Sequence, residues 1–171
     1  MNRSVAAGFL VSALAIVGRA GVFTSAIFLT YDGPPRPRAE TAVLVTSWAG
    51  ITVESVDGRS SGGNPLCRVY QFLPGRHSVG LSYNDGSVRS GIVVREFDAV
   101  AGHLYLVDWQ GNAKVTFRHG VKGTWDPEVQ DITAEIGSSM HPKPQKTVAD
   151  AFRVGKAIRL SGGKFEEVPR K

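Results

Sequence analysis

Ser78-Val79-Gly80-Leu81-Ser82-Tyr83-Asn84-Asp85-Gly86 is the stretch on which the fold turns. Apolar Val79, Leu81 and Tyr83 alternate strictly with small residues, the two-residue period of a strand with one buried face. Asn84-Asp85-Gly86 then supplies side chains and a glycine suited to a hairpin turn, so residues 88–97 are expected to return antiparallel. Upstream, Leu73-Pro74-Gly75-Arg76-His77 opens the strand. Proline presets the first φ of a type II turn and glycine accepts the positive second φ.

Working outward, the same grammar repeats. Residues 42–48 are rich in β-formers, Gly50 marks a turn, and residues 51–56 resume an extended pattern that Asp57-Gly58 closes as a tight connection. Ser60-Ser61-Gly62-Gly63-Asn64-Pro65 reads as a loop, 66–73 as a strand, and Ala101-Gly102 turns the chain into a strand at 103–109. A last strand is expected at 114–117, before a looser segment around Trp125-Asp126-Pro127. About six short strands with frequent turn signals indicate an all-β fold, a small antiparallel β-sandwich or open barrel. Its single core is expected to gather Val53, Val69, Leu73, Val79, Leu81, Tyr83, Val94, Leu104 and Leu106.

The flanks differ from this domain. Residues 1–26 read as a signal peptide or N-terminal anchor: Arg3 gives a positive start and residues 4–18 are uncharged and mostly apolar. That run is too short to span a bilayer, which takes roughly 20 apolar residues. Reaching that length means continuing through Arg19, at the cost of a charge in lipid. The small-x-small triplets ending at Ala20 and Ala26 offer peptidase sites. A cleaved export signal is the expected fate, with a retained anchor or a buried helix as the alternatives.

Residues 27–41 contain Asp32-Gly33-Pro34-Pro35-Arg36-Pro37-Arg38 and read as a Pro-rich linker. The β domain then spans 42–137 and a basic tail 138–171. The net charge of +5 resides in that tail, which holds eight basic and three acidic residues. Lys143, Lys146, Arg153, Lys156, Arg159, Lys164, Arg170 and Lys171 are read as a weakly structured extension able to lean on anionic lipid or a cell-wall polymer. One short helix is conceivable at 147–158, weakened by Gly155, with a frayed end after Gly162-Gly163. Nucleic acid is excluded as a partner, since no basic motif interleaved with aromatics occurs. Another envelope protein is the remaining partner class, and composition leaves the oligomeric state open.

Signals for chemistry are thin. Gly58-Arg59-Ser60-Ser61-Gly62 matches the letters of a nucleophile elbow, but Gly63-Asn64-Pro65 continues the loop where a helix would have to begin. His77, His103, His119 and His141 lack the close spacing of a preformed metal site. His77 and His103 are read as structural hydrogen-bonders. Glu96 with Asp98, and Glu166 with Glu167, read as solvated carboxylates, and no phosphate-loop or cofactor motif is present. Cys67 stands alone, so no intrachain disulfide can form, and it reads as a small buried hydrophobe. The expectation is a non-catalytic protein with no cofactor. Trp48, Trp109 and Trp125 are candidate stacking platforms for the alternative, a glycan or small-molecule binder, and a hydrolase is kept as a foil.

Leu73-Pro74-Gly75-Arg76-His77, the alternating strand after it and Ala101-Gly102-His103-Leu104-Tyr105 resemble a group of functionally uncharacterised Gram-negative bacterial lipoproteins. They are similar, more distantly, to the small PEGA-type β-domains of bacterial surface proteins. Thr30-Tyr31-Asp32-Gly33-Pro34 and Trp125-Asp126-Pro127 fit the lipoprotein group too, and the similarity covers about residues 28–131. Leu14-Ala15-Ile16-Val17-Gly18-Arg19-Ala20-Gly21 follows that group's processing pattern except at one position. Arg19 stands where the lipidated cysteine would be. The resemblance implies a periplasmic or membrane-associated place in the envelope and a β fold, while Arg19, having no thiol, cannot take the lipid.

Overall fold

The structure, a computed structural model, describes residues 26–46, 50–63, 68–84, 86, 89–108 and 125–170. Among the described residues it is mostly β, with two sheets, one α-helix and two single-turn 3-10 helices, and neither sheet closes into a barrel. Strands β1 (Ile27–Leu29), β2 (Ala42–Thr46), β3 (Ile51–Val56), β4 (Arg59–Ser60), β5 (Val69–Phe72), β6 (Gly75–Tyr83), β7 (Val93–Ala99), β8 (Leu104–Asp108) and β9 (Glu128–Asp131) precede helix α1 (Pro142–Val154), and β10 (Ala157–Ser161) and β11 (Lys164–Val168) follow it. Arg19, Ala20, Trp48, Cys67, Trp109, His119 and the strand expected at 114–117 lie outside the described residues.

The alternating stretch forms β6 in the expected register. Val79 and Leu81 are fully buried, and Val53 of β3 sits opposite Leu81. The order β4-β3-β6-β7 makes an antiparallel sheet. Asp57 and Gly58 both adopt positive φ, 49° and 73°, so β3 and β4 meet through the two-residue turn whose twist matches paired strands.

The larger sheet, in the order β11-β10-β1-β5-β2-β8-β9, departs from expectation because it is mixed. β1 lies parallel to both β10 and β5, and β2 lies parallel to β8. Parallel neighbours need a long crossover, and between β2 and β8 the chain uses that excursion to build the smaller sheet.

This sheet is covered on both faces, so its central strands read as unbroken apolar runs rather than alternating ones. Phe28, Leu44, Tyr70, Phe72 and Tyr105 point into the core between the sheets, with Val53, Val79 and Leu81 facing them. Ile27, Leu29, Val43, Val45, Val69, Leu104 and Leu106 point the other way, under α1, against Val148 and Ala151. The one core expected is therefore two, in three layers. Val69, Leu104 and Leu106 belong to the second, Leu73 is only half-buried, and Val94 is 58% exposed. Pairing Val93 with Leu81 turns Val93, Arg95 and Phe97 inward instead. Arg95 lies on an edge strand, where its guanidinium crosses to the Asp126 carboxylate and donates to the Pro127 carbonyl at 2.8 Å, tying the two sheets together.

Two expected boundaries are corrected. The linker expected at 27–41 begins with buried β1, and the rest is strapped down by Gln71, itself fully buried. Gln71 Nε2 donates to the Arg36 carbonyl (2.7 Å) and to Thr41 Oγ1 (2.8 Å), and its Oε1 accepts from the Tyr31 hydroxyl (2.8 Å). Residues 138–171 are likewise no loose tail. Pro142 and Pro144 sit in the first turn of α1, where their missing N–H groups cost nothing. Pro144, Val148 and Ala151 form its buried stripe, and Gly155 ends it. β10 and β11 then extend the larger sheet through β1.

Candidate functional site

A groove of about 370 Å³ opens on one side of the two packed sheets. Three local devices build it. The Asp57-Gly58 turn delivers Asp57 and then Arg59 and Ser60 on the edge strand β4, the chain leaving β1 supplies Tyr31 and Asp32, and β10 contributes Arg159. Phe28, Val56 and Leu160 make the apolar part of the lining.

The polar groups of this groove are unequally committed. Asp57 is spent, since its Oδ2 lies 2.7 Å from His77 Nδ1 and its Oδ1 accepts the Ser78 backbone N–H at 2.9 Å. Tyr31 is also fixed, donating to Gln71 and accepting from the Arg36 N–H. Burial pushes its phenol up despite that hydrogen bond, so it stays neutral. Arg159 reaches Asp32 only at 3.5 Å, and Asp32 is 91% exposed. Arg59 makes no ion pair with any carboxylate among the described residues.

Both histidines singled out in the sequence are held by an aspartate. His77 packs against Phe72 and Phe97, and its Nε2 faces the Leu73 carbonyl at 2.9 Å. With one nitrogen on Asp57 and the other on a carbonyl, neither is aimed at Ser60. Ser60 Oγ in turn accepts the Gly62 N–H, and the chain continues as a turn rather than a helix, so the geometry of a nucleophile elbow is not formed. His103 lies 2.7 Å from Asp131 and stacks on Tyr105.

Burial works to raise Asp131, but hydrogen bonds from Thr133 and His103 outweigh it and hold the carboxyl below its usual value. A carboxylate lowered in the folded state stabilises the fold above the unfolded value, about pH 4, and that support is lost as the pH falls through the folded value. Asp131→Asn is therefore expected to shrink the drop in urea midpoint between neutral pH and acid. The side chain is 41% exposed, so the effect is a modest one that salt screens.

Of the candidate tryptophans, the described one is not a platform. Trp125 is 7% exposed and packs on Tyr83 in the core between the sheets, centroids 6.0 Å apart, which leaves no face for a sugar ring. Ala26, a candidate processing residue, is 3% exposed at the start of β1. A cut behind it requires the strand to be undone, so such processing would precede folding. Among the described residues no cluster of three or more metal-ligating side chains occurs. The groove itself was missed in the sequence, because Arg59 and Arg159 stand 100 positions apart in the numbering. The only local signal was the Asp57-Gly58 turn after β3 and Pro74 ahead of β6; the expected type II turn at Pro74-Gly75 is not formed, because Gly75, at φ 141°, already pairs with Ala99 as the first residue of β6.

The chain matches no family model, no curated protein and no solved structure.

Proposed function

We propose that this chain is a non-catalytic protein of the Gram-negative cell envelope, carried out of the cytoplasm by residues 1–26 and acting by presenting a surface to an envelope partner. The observation that carries this reading is the pattern of residues 1–26, a positive start at Arg3 and an uncharged, mostly apolar run at 4–18, set ahead of a domain whose first strand, Ile27–Leu29, is buried. Arg19 leaves the protein without a lipid, in contrast to the lipoproteins it resembles. No helix among the described residues is long and apolar enough to cross a membrane. The non-catalytic reading is supported by His77, whose two ring nitrogens are held by Asp57 and the Leu73 carbonyl.

Cell fractionation with N-terminal sequencing tests the proposal. The expected result is protein in the periplasmic or membrane fraction that takes up no labelled fatty acid, while Arg19→Cys makes it a lipidation candidate. Recovery in the cytosol with residues 1–26 intact overturns the envelope reading, and labelling of the native chain overturns the reading of Arg19. Turnover of any substrate abolished by His77→Ala or His103→Ala in a folded variant would move the protein into the enzyme class.

A further inference from the structure

We infer that the groove between β4 and β10 is a binding site for a small oxyanion-bearing ligand, a carboxylate or a phosphate ester, clasped between Arg59 and Arg159. This inference takes the groove as the presented surface of the preceding section and gives its ligand a chemistry.

Five observations converge. The groove, about 370 Å³, has the size of a small-molecule site. Its rim carries two guanidiniums and two carboxylates, formally balanced, but the carboxylates do not cancel the cations. Asp57 has both oxygens occupied by His77 and the Ser78 N–H, while Arg59 has no carboxylate partner among the described residues. Arg159 shows what it takes: its one ionic contact among the described residues is the Asp32 carboxylate, held at 3.5 Å by a side chain 91% in solvent. An exposed ion pair of that kind is worth little. A ligand oxyanion can displace Asp32 at small cost and gain the planar fork of donors that guanidinium offers to carboxylate and phosphate alike. The Ser60 hydroxyl, already accepting from Gly62, keeps its proton free to donate. The apolar lining from Phe28 and Leu160 then suits the uncharged part of the ligand.

The test is a titration of the purified full chain, read on the arginine Nε–H resonances. Glutarate and glycerol 3-phosphate are the probes, with glutaramide and glycerol as their uncharged counterparts. The expected result is a saturable shift of Arg59 and Arg159 with at least one of the anions, and none with the neutral molecules. Saturation by glutarate alone assigns the site to carboxylates, and by glycerol 3-phosphate alone to phosphate esters. Arg59→Gln should weaken binding about tenfold, equivalent to ~1.4 kcal/mol, and added salt should weaken it further. Arg76→Gln is the control, because Arg76 is exposed and paired with Glu96 on the smaller sheet. The inference fails if neither anion saturates, if Arg59→Gln and Arg159→Gln both leave the affinity unchanged, or if Arg76 responds as strongly as the groove arginines. Because the titration uses purified protein, such a failure leaves the envelope location standing, and a cytosolic protein that binds the anions separates the two ideas the other way.

Discussion

Removal of residues 138–171 is expected to abolish cooperative folding, leaving a chain with no sigmoidal transition in urea by circular dichroism. The deletion takes away α1, whose Val148 and Ala151 cover one face of the larger sheet, and β10, whose Ala157 and Ile158 pair with Ile27 and Phe28. Burying an aliphatic side chain such as Val148 or Ile158 stabilises by about 1.5–3 kcal/mol. The loss would also bare Leu29, Val43, Val45, Leu104 and Leu106, none more than 1% exposed. Total domain stability is about 5–15 kcal/mol, so the loss is comparable to all of it. A transition with an unchanged midpoint would restore the view of this region as an appendage. The same arrangement places Lys143, Lys146 and Arg153 on the helix and Arg159 and Lys164 on the hairpin, with Arg153 paired to Asp150 and Lys156 to Glu167. Truncation therefore cannot isolate their contribution to membrane or wall association.

Leu81→Ala is the second change with a large expected effect, a loss of about 2–5 kcal/mol. Leu81 is fully buried between the sheets, opposite Val53 on one side and Val93 on the other. The close packing that surrounds it cannot collapse onto the cavity without moving two paired strands. Val94→Ala one strand away is the matched control, and at 58% exposure it should change stability by no more than about 0.5 kcal/mol. Urea midpoints at constant slope measure both. The reverse order of effects would mean that β6 and β7 are turned by one residue, since a slip of one sends every side chain to the other face.

What could be read in the sequence was local. The Val79, Leu81, Tyr83 alternation was legible in β6 because the residues between them, Gly80 and Ser82, are small and leave the large apolar side chains to one face, and Asp57-Gly58 announced its turn because few other dipeptides accept two positive φ values. Gly162-Gly163 carried the same information and was misread as a fraying point, yet with φ of 56° and 77° it joins β10 to β11. The side-by-side parallel placement of β1 and β10 leaves no periodic trace, because Ile27-Phe28-Leu29 is buried on both faces and looks like the end of an apolar leader. Trp125 was ambiguous for a related reason. An aromatic beside Asp-Pro fits a surface loop as well as a core edge, and only its packing on Tyr83 decides. For the site, the structural role of His77 was legible from its place at the opening of the β6 strand. Its partner Asp57 was not, since it comes from a different hairpin that pairs with β6 only in the folded sheet.

The neighbours of β1 also set an order of events in time. Its residues are made before every other strand of the sheet and β10 after all but β11, so the middle of the larger sheet stays incomplete until β10 has been made. Contacts this remote in sequence form slowly. Under the export proposed above, that delay has a use: a polypeptide threading a narrow channel must stay extended, and β1 acquires its last neighbour only when β10 has come through.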